Sequence, residues 1–258
     1  MNLFKKKQKE KTYLLLPCVH APFHNKALFE SLYQYLKETK VDGLVIMGDF
    51  MDVHSLSSHD EKKIGIKGID LFWEYREAEK LLDTILSNLP SSCKEKHYLY
   101  GNHEDRWNRS MKDVDFVKKG IPSPEEALNL KKKGFKVYTD WKNDVVHLGG
   151  KLDVSHGEFC NVHTAKKTID TYRKSMIYAH THRFQIYIEG ATGGFNIGSM
   201  ADFNSVVMSY ATRAMKNSWL NAFALVTIDE NDYYHVQPIL WYNDRFYVNR
   251  SEEHTSEL

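Results

Sequence analysis

The order of apolar patterns along this chain predicts an α/β sandwich with mixed sheets. Short all-apolar runs alternate with stretches of helical spacing through the first half, and from Phe135 onward the pattern turns to successive strands. With 42% apolar and 27% charged residues, a chain of 258 residues can bury a full core.

Each element has its own signal. Tyr13–Cys18 (YLLLPC) and Gly43–Met47 (GLVIM) are nearly all apolar, as strands buried on both faces require. Between them, Lys26–Lys40 sets Ala27, Leu28, Leu32, Tyr35 and Leu36 at helical spacing. Phe72–Leu89 reads as a second helix with Leu81, Leu82, Ile85 and Leu89 on one face, and His97–Tyr100 as a short strand ending at Gly101. Ser123, followed three residues later by Glu126, forms a capping box that opens a short helix near 124–131. Strands follow at 135–138, 145–148 and 152–155, then a helix over His163–Arg173 and a strand over Met176–Ala179. Gln185–Glu189, Ala222–Ile228 and His235–Trp241 continue the strands, with Trp219 and Trp241 expected in the core. Thr192–Asn204, rich in Gly and Asn, reads as a substrate-facing loop. No repeat or linker divides the chain, so a single domain over residues 1–249 is expected.

The last nine residues, Arg250–Leu258 (RSEEHTSEL), stand apart: they match the in-frame translation of a common short-read sequencing adapter and are read as non-native. Removing their one Arg and three Glu raises the formal charge from +1 to +3. Either value argues against a general polyanion-binding surface. No apolar run approaches the ~20 residues that span a bilayer, so no membrane partner is expected. Lys5–Lys11 reads as a solvated arm, and the start lacks the apolar stretch of a secretory signal. Three scattered cysteines (Cys18, Cys93 and Cys160) do not make a disulfide framework. The expectation is a cytoplasmic location.

Chemistry gathers where strands run out. Cys18-Val19-His20 ends the first strand, Gly48-Asp49-Phe50-Met51-Asp52 the second and Gly101-Asn102-His103-Glu104 the third; Ser155-His156-Gly157 and His180-Thr181-His182 follow later ones. The carboxyl ends of strands in α/β sheets are where ligands bind, and these residue types coordinate borderline metals. Singly, each tip has an ordinary reading: a hydrogen-bonded surface His, or a Gly-Asp turn. Their combination in this order is what carries information.

That combination resembles the calcineurin-like metallophosphoesterases, whose pattern is D-x-H, G-D-x-x-D, G-N-H-[E/D], an isolated His and G-H-x-H. It spans residues 18 to 182 and is specific for the family but not for substrate. The resemblance implies a four-layer double β-sandwich flanked by helices, with two divalent cations at its edge. It implies that Asp49 bridges the two cations, that His20 and His182 with position 18 complete one site, and that Asn102, His156 and His180 complete the other. His103 would be the proton donor to the leaving oxygen, with Asp52 orienting it. Two cations ~3.5–4 Å apart can share a hydroxide nucleophile and neutralise phosphoryl oxygens.

Two positions depart from the pattern. Ala179 replaces Gly before the His pair, which costs little unless the backbone needs a positive φ. Cys18 stands where the family has Asp. Either its thiolate is a ligand, favouring zinc or iron over magnesium or manganese, or the thiol is a buried spectator beside a weakened site. The metal is thus expected among manganese, zinc and iron.

Weaker candidates are Arg106, as a phosphate contact or a surface ion pair with its neighbours, and His24 at the entrance; His54 and His59 lie in a polar loop over 54–68 that could overhang the site. The leading expectation is metal-dependent hydrolysis of a phosphoester, chiefly a phosphodiester of a nucleotide or nucleic acid. The alternatives are a phosphomonoesterase or phosphoprotein phosphatase, whose G-D-x-x-D-R-G is not met by Asp52-Val53-His54, and a non-catalytic metal-binding scaffold.

Overall fold

A computed structural model describes residues 10–57 and 70–247. The Lys5–Lys11 run apart from its last residues, most of the 54–68 loop including His59, and the segment 250–258 lie outside the described residues.

Among the described residues the strands form two sheets. The first has the order β12 (Arg245–Tyr247), β11 (Tyr234–Tyr242), β10 (Asn221–Ile228), β1 (Lys11–Leu16), β2 (Gly43–Met47), β3 (Glu95–Leu99) and β4 (Lys136–Tyr138). The second runs β5 (Val146–Leu148), β6 (Leu152–Val154), β7 (Ser175–Tyr178), β9 (Thr192–Ile197) and β8 (Phe184–Glu189). Both are mixed: β1 to β4 are parallel and β10 to β12 antiparallel, while β6, β7 and β9 run parallel between antiparallel β5 and β8.

The all-apolar runs are explained by alternation. Leu14, Leu16, Leu44 and Ile46 point to the cluster shared with helices α1 (Lys26–Lys37) and α2 (Leu71–Asn88). Tyr13, Leu15, Val45 and Met47 point the other way, meeting Val154, Ile177, Phe195 and Ile197 of the second sheet. On the outer face of that sheet, α6 (Thr164–Tyr172) packs so closely that a Cβ on Gly194 would lie 2.5 Å from the Ala165 carbonyl oxygen. Helices, sheet, sheet and helix make four layers.

Local signals place the helices. The Asn25 side chain caps α1 by accepting from Leu28 N, and Asp70 caps α2 by accepting from Trp73 N. The Ser123–Glu126 capping box opens α5 (Pro124–Ala127) as expected, but the helix stops short of 131 because Asn129 turns left-handed at φ 53°. Short helices α3 (Asp105–Ser110), α4 (Val114–Lys118) and α7 (Arg213–Lys216) complete the set.

One expectation is corrected outright. Thr192–Asn204 does not form a loop over its whole length: Thr192–Ile197 is a strand between β7 and β8, buried from Gly193 on. Gly194 serves close packing against α6, and a Cβ on Gly193 would meet the Phe195 ring; neither makes a flexible turn.

Candidate metal centre

Parallel pairing at level register brings the strand tips together. Leu16 pairs with Ile46 and Met47 with Leu99, so the turns after β1, β2 and β3 leave at one height. In the second sheet Val154 pairs with Ile177, aligning the tips that carry His156 and His180. The two sheets are stitched at this edge: His156 Nδ1 lies 3.0 Å from the Met47 carbonyl, where it donates its proton.

The turns are built from strained backbone. Cys18, His20, Asp49, Val53, His180 and His182 all hold a positive φ, between 34° and 68°. Each such residue costs about 1–3 kcal/mol, and strain of this kind concentrates where geometry serves function. Ala179 is not among them, so the family's glycine is not needed there. Gly101 is needed, because any Cβ would collide with the Asp49 carboxylate and backbone.

Asp49 sits at the centre. Its Oδ1 accepts from His103 N at 2.9 Å, while Oδ2 lies 3.4 Å from His156 Nε2 and 3.9 Å from both His20 Nε2 and His103 Nε2. Asn102 Oδ1 and His180 Nδ1 each approach His156 Nε2 at 3.1 Å. On the other side His20 Nε2 faces His182 Nε2 at 3.0 Å, and His20 Nδ1 is held by Asp52 at 2.9 Å. The structure therefore brings Cys18, His20, Asp49, Asp52, Asn102, His103, His156, His180 and His182 into one cluster, with Cys18, His20 and His182 as one possible ligand group and Cys18, Asp49 and His156 as another.

The donor set fits a cation. Because His156 Nδ1 donates to Met47 and His20 Nδ1 to Asp52, their Nε2 atoms carry lone pairs in the neutral rings. Those lone pairs face Asn102 and Asp49 oxygens and further imidazole nitrogens, a gathering of ligand atoms that a cation can occupy. A proton is drawn in the same way: burial would push His156 down, but Asp49 outweighs it and raises its pKa. Burial, and then the charge of His156, lowers His180 to about 4; burial and His20 hold His182 well below the usual imidazole range. Both stay neutral and able to ligate. Burial alone would raise Asp49, yet His156, His103 and His20 hold it well below the carboxylate range.

Asp52 contacts the imidazoles of His20 and His103. Its carboxylate binds His20 most tightly, with His103 Nδ1 at 3.5 Å, and it is the Asp52 carbonyl that receives the His103 Nδ1 proton at 2.8 Å. Arg106 is no free surface ion pair: it donates to the Asp52 carbonyl at 2.8 Å and lies 3.4 Å from His103 Nε2. His24 packs edge-on against Phe29 of α1, with ring centroids 5.1 Å apart. Trp219 is outside the core strands, its ring 4.8 Å from that of His182. Cys160, which has no partner in the sequence pattern, places Sγ 3.1 Å from His180 Nε2.

The main residue whose role the sequence did not reveal is Glu104. Fully buried, its carboxylate accepts from Asp49 N, Met51 N, Gly101 N and Tyr98 Oη at 2.9–3.0 Å. It thereby ties the second tip to the third. The signal was its place after Gly101-Asn102-His103.

No family model and no curated protein sequence matches the chain. Solved structures do. Vacuolar Protein Sorting 29 from Cryptosporidium parvum superposes with a TM-score of 0.52 at 13% identity, covering 93% of this chain and 95% of that one. Wild-type Vps29 from Entamoeba histolytica, complexed with zinc, gives 0.49 at 13% identity, covering 93% and 98%. The protein has the calcineurin-like metallophosphoesterase fold, on the first of these likenesses and on the sheet order above.

Proposed function

We propose that this protein is a metal-dependent phosphoesterase acting on a phosphodiester, with a nucleotide or nucleic acid as the substrate class. The observation that supports this is the gathering of imidazole nitrogens and the Asn102 amide oxygen around the Asp49 carboxylate. His20, Asp49 and His182 would hold one cation, and Asp49, Asn102, His156 and His180 a second. Bound there, two cations would supply charge neutralisation for phosphoryl oxygens and lower the pKa of water.

The chain's own groups do the rest. His103, whose side chain is 14% exposed at the cluster's rim, fixes its Nδ1 proton on the Asp52 carbonyl. Its Nε2 lies 3.9 Å from Asp49 Oδ2, so in the protonated ring that atom can pass its proton to a leaving alkoxide. Arg106, anchored on Asp52, holds a guanidinium beside that atom, where it can meet a phosphate oxygen. Asp52 positions His20 and His103 together.

Hydrolysis of aryl phosphodiesters and monoesters with manganese, zinc or ferrous iron tests this reading. Diester turnover lost by at least about a hundredfold in His103→Ala, and abolished in Asp49→Asn, is the expected result. Faster monoester hydrolysis would instead indicate a phosphomonoesterase. Metal binding without turnover on either substrate would leave a metal-binding scaffold. Among the described residues no helix is long and apolar enough to cross a membrane.

A further inference from the structure

We propose that Cys18 is a thiolate ligand, forming with His20 and His182 a nitrogen–sulfur site that selects zinc-like cations over magnesium and manganese. This rests on the reading of the cluster as a metal centre and adds to it the identity of the cation.

Three features of the structure concern Cys18. Cys18 Sγ lies within 4.8 Å of ligand atoms of His20 and His182, and within the same distance of Asp49 and His156, so it stands at the junction of both halves of the cluster. Its side chain is fully buried, yet the sulfur is turned to a polar partner: His180 N donates to it at 3.1 Å, as a backbone amide does to an electron-rich sulfur. Its backbone is pinned in the left-handed region at φ 34°, with the carbonyl accepting from Ser199 Oγ at 2.8 Å and Met200 N at 3.1 Å. Independently of the cysteine, His182 is a buried imidazole whose Nδ1 has no hydrogen-bond partner and whose Nε2 faces that of His20 at 3.0 Å.

With His20 Nδ1 committed to Asp52, the space between these groups is bounded by imidazole lone pairs and sulfur. Two imidazoles and a thiolate form a donor set that suits zinc, cobalt or ferrous iron, whereas magnesium and manganese prefer oxygen. On binding, the thiol gives its proton to solvent and the sulfur becomes the ligand. The other nearby cysteine makes the natural control. Cys160 is exposed and touches His180 at Nε2, the nitrogen opposite to the one facing His156.

Cobalt-substituted protein provides a readout that does not depend on turnover. Bound cobalt should show both its visible ligand-field bands and a near-ultraviolet sulfur-to-cobalt charge-transfer band. The charge-transfer band should vanish in Cys18→Ser, with the ligand-field bands retained, and persist in Cys160→Ser. Its loss in Cys160→Ser and survival in Cys18→Ser would overturn the proposal. So would wild-type cobalt binding without any such band, which would leave the histidine–aspartate centre standing. Failure to bind cobalt at all would defeat the centre itself and the thiolate with it. Should Cys18→Ser fail to fold, Cys18→Asp restores a ligand at the same place; its preference for zinc over manganese should fall by about tenfold or more. An unchanged preference would refute the assignment.

Discussion

Replacing Glu104 with Gln changes one atom in the buried brace beneath the cluster. Glu104 Oε1 accepts from Met51 N at 2.9 Å and Tyr98 Oη at 3.0 Å, and Oε2 accepts from Asp49 N at 3.0 Å and Gly101 N at 2.9 Å. Four donors converge, so both oxygens must accept. A glutamine keeps one acceptor. With its NH2 in place of Oε1, Tyr98 Oη can turn to accept and Met51 N is left buried without a partner. In place of Oε2 it strands both Asp49 N and Gly101 N. Each such group costs about 1–3 kcal/mol. Against this stands a relief: burial, and then the Asp49 charge, raise the pKa of Glu104, so its negative charge is itself a burden. The net expectation, for the less costly orientation, is a loss of about 1–3 kcal/mol, read by urea unfolding of the metal-free protein. Because the weakened brace anchors the tips that carry Asp49 and Asn102, zinc affinity measured by calorimetry should fall as well. A Glu104→Gln variant with wild-type stability and zinc affinity would show that the carboxylate does not hold the tips in place.

Two further expectations follow from the same geometry. Gly101→Ala drives a methyl group into the Asp49 carboxylate and should cost about 1–3 kcal/mol while weakening metal binding; a stable variant with full metal content would contradict the observed packing. His24, lowered to about 4 from the ordinary 6.5 by burial and then by Lys26, binds its proton more readily in the unfolded chain. Its contribution is therefore complete above about pH 6.5 and is lost as the pH falls toward 4, by up to about 3 kcal/mol. His24→Gln should flatten that part of the stability–pH curve, and an unchanged slope would assign the dependence to other groups.

The legible part of the site was local. Strand-tip residues such as Cys18, Asp49, Asn102 and His180 declare themselves because each follows an apolar run with two-residue alternation, and chain geometry alone then exposes them at a sheet edge. The capping box at Ser123 and the caps at Asn25 and Asp70 are equally short in range. Thr192–Ile197 reads as a loop for the converse reason: its glycines look like a turn until α6 is laid against Gly194 and the Phe195 ring against Gly193. Trp219 and Cys160 reached the cluster unannounced, since the rings and nitrogen they touch belong to His182 and His180, many residues away.

Order and residue type thus came from the chain itself, through periodicities that neighbouring side chains impose on one another. Whether Glu104 is a brace or a surface charge, which carboxylate oxygen meets which imidazole, and where the Cys18 sulfur points were decided by folding. These contacts close over separations of up to 162 residues, as between His20 and His182, and depend on sheet register and burial rather than on local pattern.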